Sequence, residues 1–145
     1  MELRDMRLAI AAHYEPGAPK VARALSEQGV EEVFSGIPES ERVDVKVLYN
    51  SITECGGIFI TPEDDLWPHA VNDLEVPPIG LIVKGDIGAL SLQSLAIVGT
   101  RNPTPYGSRN ASEFAAGFVD REWAIVSGGA YGIDSAAHKG ALIAE

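Results

Sequence analysis

The sequence predicts an α/β protein in which a small helical N-terminal domain precedes the front part of a parallel-sheet domain. Apolar residues recur at helical spacing through the first 56 residues, whereas short continuous apolar runs alternate with helical patterns after them. Of the 145 residues, 46% are hydrophobic and 22% are charged, a globular composition that excludes a largely disordered chain.

Three helices are predicted in the N-terminal domain, over residues 3–13, 18–28 and 39–54. The second has the clearest pattern, an apolar stripe that ends at a helix stop signal, Gly29. Gly56-Gly57 then interrupts the helical spacing. We therefore predict a domain boundary there, with domains of residues 1–56 and 57–145.

After this boundary the pattern changes to strands and helices. Short apolar runs predict four strands, at residues 58–60, 79–83, 95–99 and 123–127, and helical spacing returns at residues 107–119 and 133–144. Continuous apolar strands that alternate with helices are typical of a parallel sheet covered on both faces, so we predict a Rossmann-like sheet containing the last three strands. Because an open sheet normally has more strands than this, we expect the domain to be incomplete at residue 145.

The charge of the chain is acidic and unevenly distributed. The formal net charge is −10; residues 1–83 hold 15 acidic and 6 basic side chains, and residues 84–145 hold 6 and 5. A broad basic surface is therefore excluded, although a polyanion needs lysine and arginine only where it is contacted. The second half, which is nearly neutral, can still hold a local anion site.

Several functional classes find no support in the sequence. The lone Cys55 permits neither an internal disulfide nor a cysteine metal cage, and the three histidines are scattered. No apolar run is long enough to span a bilayer, and the first residues lack the features of a signal peptide. We therefore expect a cytoplasmic protein with no membrane association, no metal and no cofactor.

The loop after the last predicted strand, residues 127–132, has the composition of an anion site. Its three glycines lie within five residues and allow positive φ angles and close approach of a ligand to the backbone. The next helix begins near Ile133, so its free N–H groups and positive dipole end face the loop, and Ser127 adds a hydroxyl. The alternative is that the glycines only form a tight turn.

The preceding loop, residues 99–107, places Arg101 directly beyond a strand end. Ligands of open parallel sheets bind at this edge, where an arginine can clamp a phosphate or stack on a base. The alternative is a surface arginine paired with a carboxylate. On the last helix, spacing alone favours Lys139 and His138 as helix surface and Asp134 as a cap.

The sequence lacks several specific motifs of nucleotide-binding and hydrolytic enzymes. The glycines at 128, 129 and 132 give G-G-x-x-G rather than the dinucleotide fingerprint G-x-G-x-x-G, and the sequence contains no Gly-Lys-Ser/Thr phosphate loop. Ser127 lacks the first glycine of a G-x-S-x-G elbow, and nothing indicates an oxyanion hole for a triad of Ser127, Asp134 and His138. None of these patterns predicts a catalytic residue.

Two long segments contain these loops: Ala96-Ile-Val-Gly-Thr-Arg-Asn-Pro-Thr-Pro-Tyr-Gly107 and Val126-Ser-Gly-Gly-Ala-Tyr-Gly-Ile-Asp-Ser-Ala-Ala-His-Lys-Gly-Ala-Leu142. Their order and separation closely resemble those of the DNA-processing protein A family (DprA, also called Smf). Upstream, Gly57-Ile-Phe-Ile-Thr-Pro-Glu-Asp-Asp-Leu-Trp-Pro68 and Pro77-Pro-Ile-Gly-Leu-Ile-Val-Lys-Gly-Asp86 are similar to the lead-in of that family. The resemblance covers residues 57–142, whereas residues 1–55 match only as a variable helical N-terminal domain.

The resemblance implies an extended Rossmann fold that binds single-stranded DNA, loads the RecA recombinase onto it during natural transformation, and is not an enzyme. By motif position, Arg101 and Lys139 are implied as the main cationic contacts to DNA. Backbone and small side chains are implied to line the pocket, at Gly99, Thr100, Ser127, Gly128, Gly129, Gly132 and Ile133. Tyr106 or Tyr131 is a candidate for base stacking, the alternative being packing within the loops.

The Rossmann domain of this family continues well past the position of residue 145. The resemblance therefore implies that the surfaces for homodimerisation and for RecA lie in that continuation. Two other functions stay open: a nucleotide-binding or nucleotide-processing enzyme on a related Rossmann-like scaffold, and an inert module whose acidic helical half serves protein interaction. The Pro-Gly-Gly-x-Gly-Thr motif of phosphoribohydrolases on that scaffold is absent from these 145 residues.

Overall fold

A computed structural model of the chain describes residues 1–144, which form two compact units. The first unit comprises Met1–Leu90 and the second begins at Ser91. The α-helices are α1 (Leu3–His13), α2 (Pro19–Gln28), α3 (Val30–Ser35), α4 (Val45–Glu54), α5 (Pro105–Val119) and α6 (Ile133–Ala144). The strands are β1 (Gly57–Ile60), β2 (Leu81–Lys84), β3 (Ser94–Ala96) and β4 (Ala124–Val126). No helix of residues 1–144 has both the length and the apolar character needed to cross a membrane.

The first unit is built around α1, which contributes to two apolar clusters. One cluster joins α1 to α3 and the segment after it, through the buried residues Ala9, Ile10, Val30, Val33, Phe34 and Ile37. The other joins α1 to α4 and β1 through Leu8, Ile52 and Phe59. Because neighbouring residues of α1 enter different clusters, this helix packs on both sides and holds the other helices against the strands.

The helix predicted over residues 39–54 is shorter in the structure. It begins at Val45, where the Asp44 carboxylate accepts a hydrogen bond of 2.9 Å from the Lys46 N–H and caps α4. The helix α3 was not predicted. Its signal was nevertheless present, since the apolar residues at 30, 33, 34 and 37 follow helical spacing.

The strand predicted over residues 79–83 does not belong to the parallel sheet. It corresponds to β2, which pairs antiparallel with β1, with Gly57 opposite Lys84 and Ile60 opposite Leu81. Side chains of β2 alternate between half-buried and exposed, so the expectation of a buried parallel strand was wrong. A short apolar run cannot by itself distinguish a buried strand from one with a single covered face.

The compact units do not divide at residue 56. The cluster of Leu8, Ile52 and Phe59 joins β1 to the helices before it, and this packing places residues 57–90 in the first unit. The predicted domains, residues 1–56 and 57–145, were drawn from the change in sequence pattern. That domain division stays a prediction.

The second unit is a β-α-β-α arrangement. Strands β3 and β4 pair in parallel, with Ser94 opposite Ala124 and Ala96 opposite Val126, and α5 forms the crossover between them. Helix α6 follows β4 and packs closely on α5, where Ala111, Ala115 and Ala137 are buried. The predicted α/β class, with a helical region followed by a parallel β-α-β unit, is confirmed.

Two ion pairs attach α1 to the loop after β1. The guanidinium of Arg7 is largely buried and forks onto Glu63, with Nε 2.9 Å from Oε2 and Nη2 2.6 Å from Oε1. Its Nη1 also donates to the carbonyl of Ile79 at 3.3 Å. Arg4 pairs with Asp64 in the same loop. These contacts join α1 to segments that are more than 50 residues away in sequence.

Both carboxylates have a lowered pKa. Partial burial is the largest single influence on Glu63 and acts to raise its pKa, but the hydrogen bonds from Arg7 and Thr61 and the charge of Arg7 together lower the pKa by more. Burial also acts to raise the pKa of Asp64, and hydrogen bonds from Thr61 with the charge of Arg4 lower it by more. A lowered pKa stabilises the folded state above the ordinary values of 4.5 and 3.8. This stabilisation is lost as the pH falls through the lower, folded-state values.

We expect Arg7→Ala to lower the free energy of unfolding of the first unit by about 1–2 kcal/mol at pH 7, because it removes a forked, charge-assisted contact. The variant should also lose less stability between pH 6 and pH 3, since Glu63 then lacks the hydrogen bond and the charge of Arg7 that lower its pKa. Urea unfolding followed by the fluorescence of the buried Trp67, in a Trp123→Phe background, measures both effects.

The matched control is Arg23→Ala, which removes an exposed pair with Glu27 on α2. An exposed pair of this spacing contributes little, so the control should change stability by less than about 0.5 kcal/mol. Equal losses in the two variants would contradict the role given to Arg7.

Candidate functional site

The two loops singled out by the sequence lie at the same edge of the parallel pair. Residues 99–104 follow β3 and lead to α5, and residues 127–132 follow β4 and lead to α6. The Ile97 N–H donates to the Val126 carbonyl at 3.0 Å and continues the ladder beyond the assigned strands. This carboxyl edge is where open parallel sheets bind ligands.

Ser127 fastens the two strand ends together. Its Oγ donates to the Ile97 carbonyl at 2.6 Å, which uses the one proton of the hydroxyl. A phosphate oxygen is an acceptor, so Ser127 shapes the edge in this arrangement rather than donating to an anion. Ser127 and His138 thus have different partners, since the Nε2 of His138 lies 3.1 Å from the Gly128 carbonyl.

The two loops cross in direct contact at Gly132. This residue has a φ of +90°, in the left-handed region that favours glycine. A Cβ here would lie 2.3 Å from the Thr100 carbonyl oxygen and 2.8 Å from the Arg101 Cα. The absence of a side chain therefore lets the Arg101 loop rest directly on the loop that starts α6.

Ile133 also contacts the first loop. Its N–H donates to the Thr100 carbonyl at 3.2 Å. Its side chain covers Gly99, where a Cβ would lie 2.8 Å from Ile133 Cγ1. One of the N–H groups expected to be free at the start of α6 is thus already bonded, and Ile133 acts by packing.

Threonine hydroxyls fix the turn of the first loop. Thr100 Oγ1 accepts from the Asn102 N–H at 3.1 Å. Thr104 Oγ1 accepts from the Gly107 N–H at 3.1 Å and caps α5, which begins at Pro105. The loop that carries Arg101 is therefore held at both ends by short local bonds.

Two side chains of α6 contact Gly128 in the second loop. His138 reaches the Gly128 carbonyl, and the buried Asp134 lies so close that a Cβ on Gly128 would be 2.6 Å from its Oδ2. Spacing had favoured Asp134 as a cap and His138 as helix surface. Asp134 and His138 are four residues apart, so they lie on the same face of the helix that follows the loop. This spacing is the signal that could have indicated their shared contact with Gly128.

Arg101 and Lys139 are both exposed. Neither forms an ion pair within residues 1–144, so the alternative that Arg101 pairs with a carboxylate is wrong for this part of the chain. Gly129 is also exposed, with open space around it. The edge thus offers the uncommitted Arg101 and accessible backbone, with the uncommitted Lys139 farther along α6, a combination that suits an anionic ligand.

The structure brings some of the predicted residues into mutual contact and leaves others apart. Gly99, Thr100, Arg101, Gly132 and Ile133 form one contact group. Gly128 contacts α6 instead. Lys139 lies six residues into α6 and forms no hydrogen bond with either loop among the residues that the structure describes.

The two loop tyrosines do not pack within their loops. Tyr106 is 74% exposed and Tyr131 is 85% exposed. The packing alternative is therefore wrong for both residues. Their rings are accessible to a ligand that stacks on aromatic faces.

A family model described as DNA recombination-mediator protein A matches residues 58–145. The chain belongs to this family. Over 103 residues it is 42% identical to a protein of Mycobacterium tuberculosis that carries the name DprA, covering 62% of this chain and 26% of the relative. Over 80 residues it is 38% identical to the DNA processing protein DprA of Bacillus subtilis, covering 54% and 27%. The resemblance read from the two loop segments is confirmed.

A solved structure of the DNA processing protein A of Streptococcus pneumoniae matches the fold of this family member, with a TM-score of 0.62 and 22% identity. The match covers 97% of this chain and 50% of the other. The chain spans about a quarter of the length of the curated relatives it matches. These findings support the recombination-mediator interpretation and not the nucleotide-processing alternative.

We expect Gly132→Ala to destabilise the second unit by about 2 kcal/mol or more, because the new Cβ combines a positive φ with a clash against backbone. The urea dependence of amide NMR signals in α5 and α6 measures this loss.

Gly129→Ala is the matched control in the same loop. A Cβ there meets nothing within 4 Å, so its stability should stay within about 0.5 kcal/mol of the parent. If the two alanine variants unfold at the same urea concentration, the crossing at Gly132 does not constrain the loops.

Proposed function

We propose that the second unit binds single-stranded DNA along the edge formed by residues 99–104 and 127–132. The observation that carries this proposal is the crossing at Gly132, which holds the Arg101 loop against the start of α6. Arg101 and Lys139 bind phosphates through their uncommitted charges. Gly128 and Gly129 let the sugar-phosphate backbone approach the protein closely.

A single strand fits this edge better than a duplex. A protein that binds duplex DNA through its phosphates needs many cations over a wide surface, and this edge has two. The exposed rings of Tyr106 and Tyr131 can stack only on bases that are not already paired and stacked. Family membership and the low number of cations both favour a narrow site for an extended strand.

The proposal extends to the longer proteins of this family. We propose that DNA held at this edge is passed to the RecA recombinase in the cytoplasm during natural transformation, without covalent chemistry. The family description as a recombination mediator supports this step. Homodimerisation and RecA binding are proposed for surfaces outside these two loops.

We expect the chain to bind a fluorescent dT20 oligonucleotide, and Arg101→Ala with Lys139→Ala to weaken that binding by at least about tenfold. Two engaged cations on a single strand predict a slope of log affinity against log salt near −1.4. Fluorescence anisotropy across a salt series measures both quantities.

Arg121→Ala is the charge-matched control. Arg121 follows the far end of α5 and donates to the Gly117 carbonyl, away from both loops, so its removal should leave affinity within about twofold. Retention of dT20 by the double variant, equal affinity for a duplex, or a salt slope steeper than about −5 would overturn the proposal.

A further inference from the structure

A hollow on α5 shares only Tyr106 with the residues considered at the loop edge. It has a volume of about 380 Å³ and is lined by Tyr106, Asn110, Glu113 and Phe114. Phe114 is 62% exposed and Tyr106 is 74% exposed, so two of the lining residues present aromatic rings to solvent. An amide and a carboxylate lie between them along the helix.

The hollow lies on a helix face that the second unit does not pack. At about 100° per residue, its four lining residues fall within an arc of about 100°. The buried residues Ala111 and Ala115 lie about 130° away from the centre of this arc. Contacts of α5 within the described residues of the unit therefore leave these side chains uncovered.

The hollow carries hydrogen-bonding groups suited to one nucleobase. Glu113 offers two carboxylate acceptors, and Asn110, three residues earlier, offers amide donors on the same face. The Watson–Crick edge of guanine presents two adjacent donors, N1–H and the N2 amino group, followed by the acceptor O6. Thymine places a single N–H between two carbonyls, while adenine and cytosine each combine one amino donor with an adjacent acceptor.

We propose that this hollow is a guanine-binding subsite for the strand held at the loop edge, a proposal that rests on the proposed function. The Glu113 carboxylate accepts from N1–H and from the N2 amino group, and the Asn110 amide donates to O6. Tyr106 or Phe114 provides a stacking surface for the base.

The position of Tyr106 connects the subsite to the loop edge. It lies in the first turn of α5, directly after the loop that carries Arg101. None of the four lining residues is basic, and Glu113 repels phosphate, so a base edge is favoured in the hollow over the backbone. Arg109 lies one turn before Glu113, is exposed, and forms no ion pair within residues 1–144, which leaves it available to a phosphate at the rim.

The test compares oligonucleotides that differ only in base edge. We expect a dT20 strand with three isolated guanines to bind about fivefold tighter than dT20. This gain is at the low end of the range for a bidentate contact to a base, because the hollow is open to solvent. Inosine lacks the N2 amino group, and strands with inosine or adenine at the same positions should bind within about twofold of dT20. Equal affinity for the guanine and inosine strands would overturn the proposal.

Variants assign the preference to the hollow. Glu113→Gln should abolish the guanine preference while affinity for dT20 stays within about twofold, and Phe114→Ala should reduce that preference. Glu122→Gln makes the same charge change at an exposed position of the same unit and should retain it. If Glu113→Gln and Glu122→Gln had equal effects, the guanine preference would arise from the net charge of the unit, and the proposed subsite would be overturned.

A failure of the loop edge is distinguishable from a failure of the subsite. If dT20 does not bind, the proposed function fails, and the subsite is tested alone by titrating guanosine and inosine monophosphates onto the ¹⁵N-labelled chain. Shifts of the Asn110 side-chain amide with the guanosine nucleotide alone support the subsite. Absence of such shifts, or equal shifts with both nucleotides, overturns it.

Discussion

The contact of Gly132 with the backbone of Thr100 and Arg101 constrains everything at the carboxyl edge of the second unit. It sets where the Arg101 loop lies relative to the first turn of α6, and Lys139 follows on that same helix. The hydrogen bond from the Ile133 N–H to the Thr100 carbonyl holds the same two loops together. The backbone segments that carry Arg101 and Lys139 are thereby held in a defined relation, which would lower the ordering cost of the proposed binding.

Charge and site are separated along the sequence. The first unit carries most of the acidic excess and uses part of it in ion pairs that hold α1 to the loop after β1. The second unit is nearly neutral, and Arg101 and Lys139, which form no ion pair within residues 1–144, lie on the segments that form the candidate site. In the proposed function, attraction of a polyanion is therefore local, and it does not depend on the net charge of the chain.

The sequence predicted the features that depend on local pattern. Apolar stripes predicted the helices, and the alternation of apolar runs with helical patterns predicted the parallel pair of β3 and β4. The positions of the two loops at the strand ends followed from the same alternation. The pairing of β2 with β1 could not be predicted in this way, because an apolar run does not indicate which strand it pairs with. The bonds of Ser127 and Ile133 were also beyond prediction, since each joins residues about 30 positions apart whose approach depends on the crossing of the loops.

The bond from the Ile133 N–H to the Thr100 carbonyl gives the second unit an internal reporter. Amides in the first turn of a helix usually exchange with solvent quickly, because they lack a partner within the helix. This amide is bonded to a residue 33 positions earlier, so it is shielded only while both loops are closed on each other. Its deuterium uptake therefore follows the separation of the two loops rather than fraying of α6 alone.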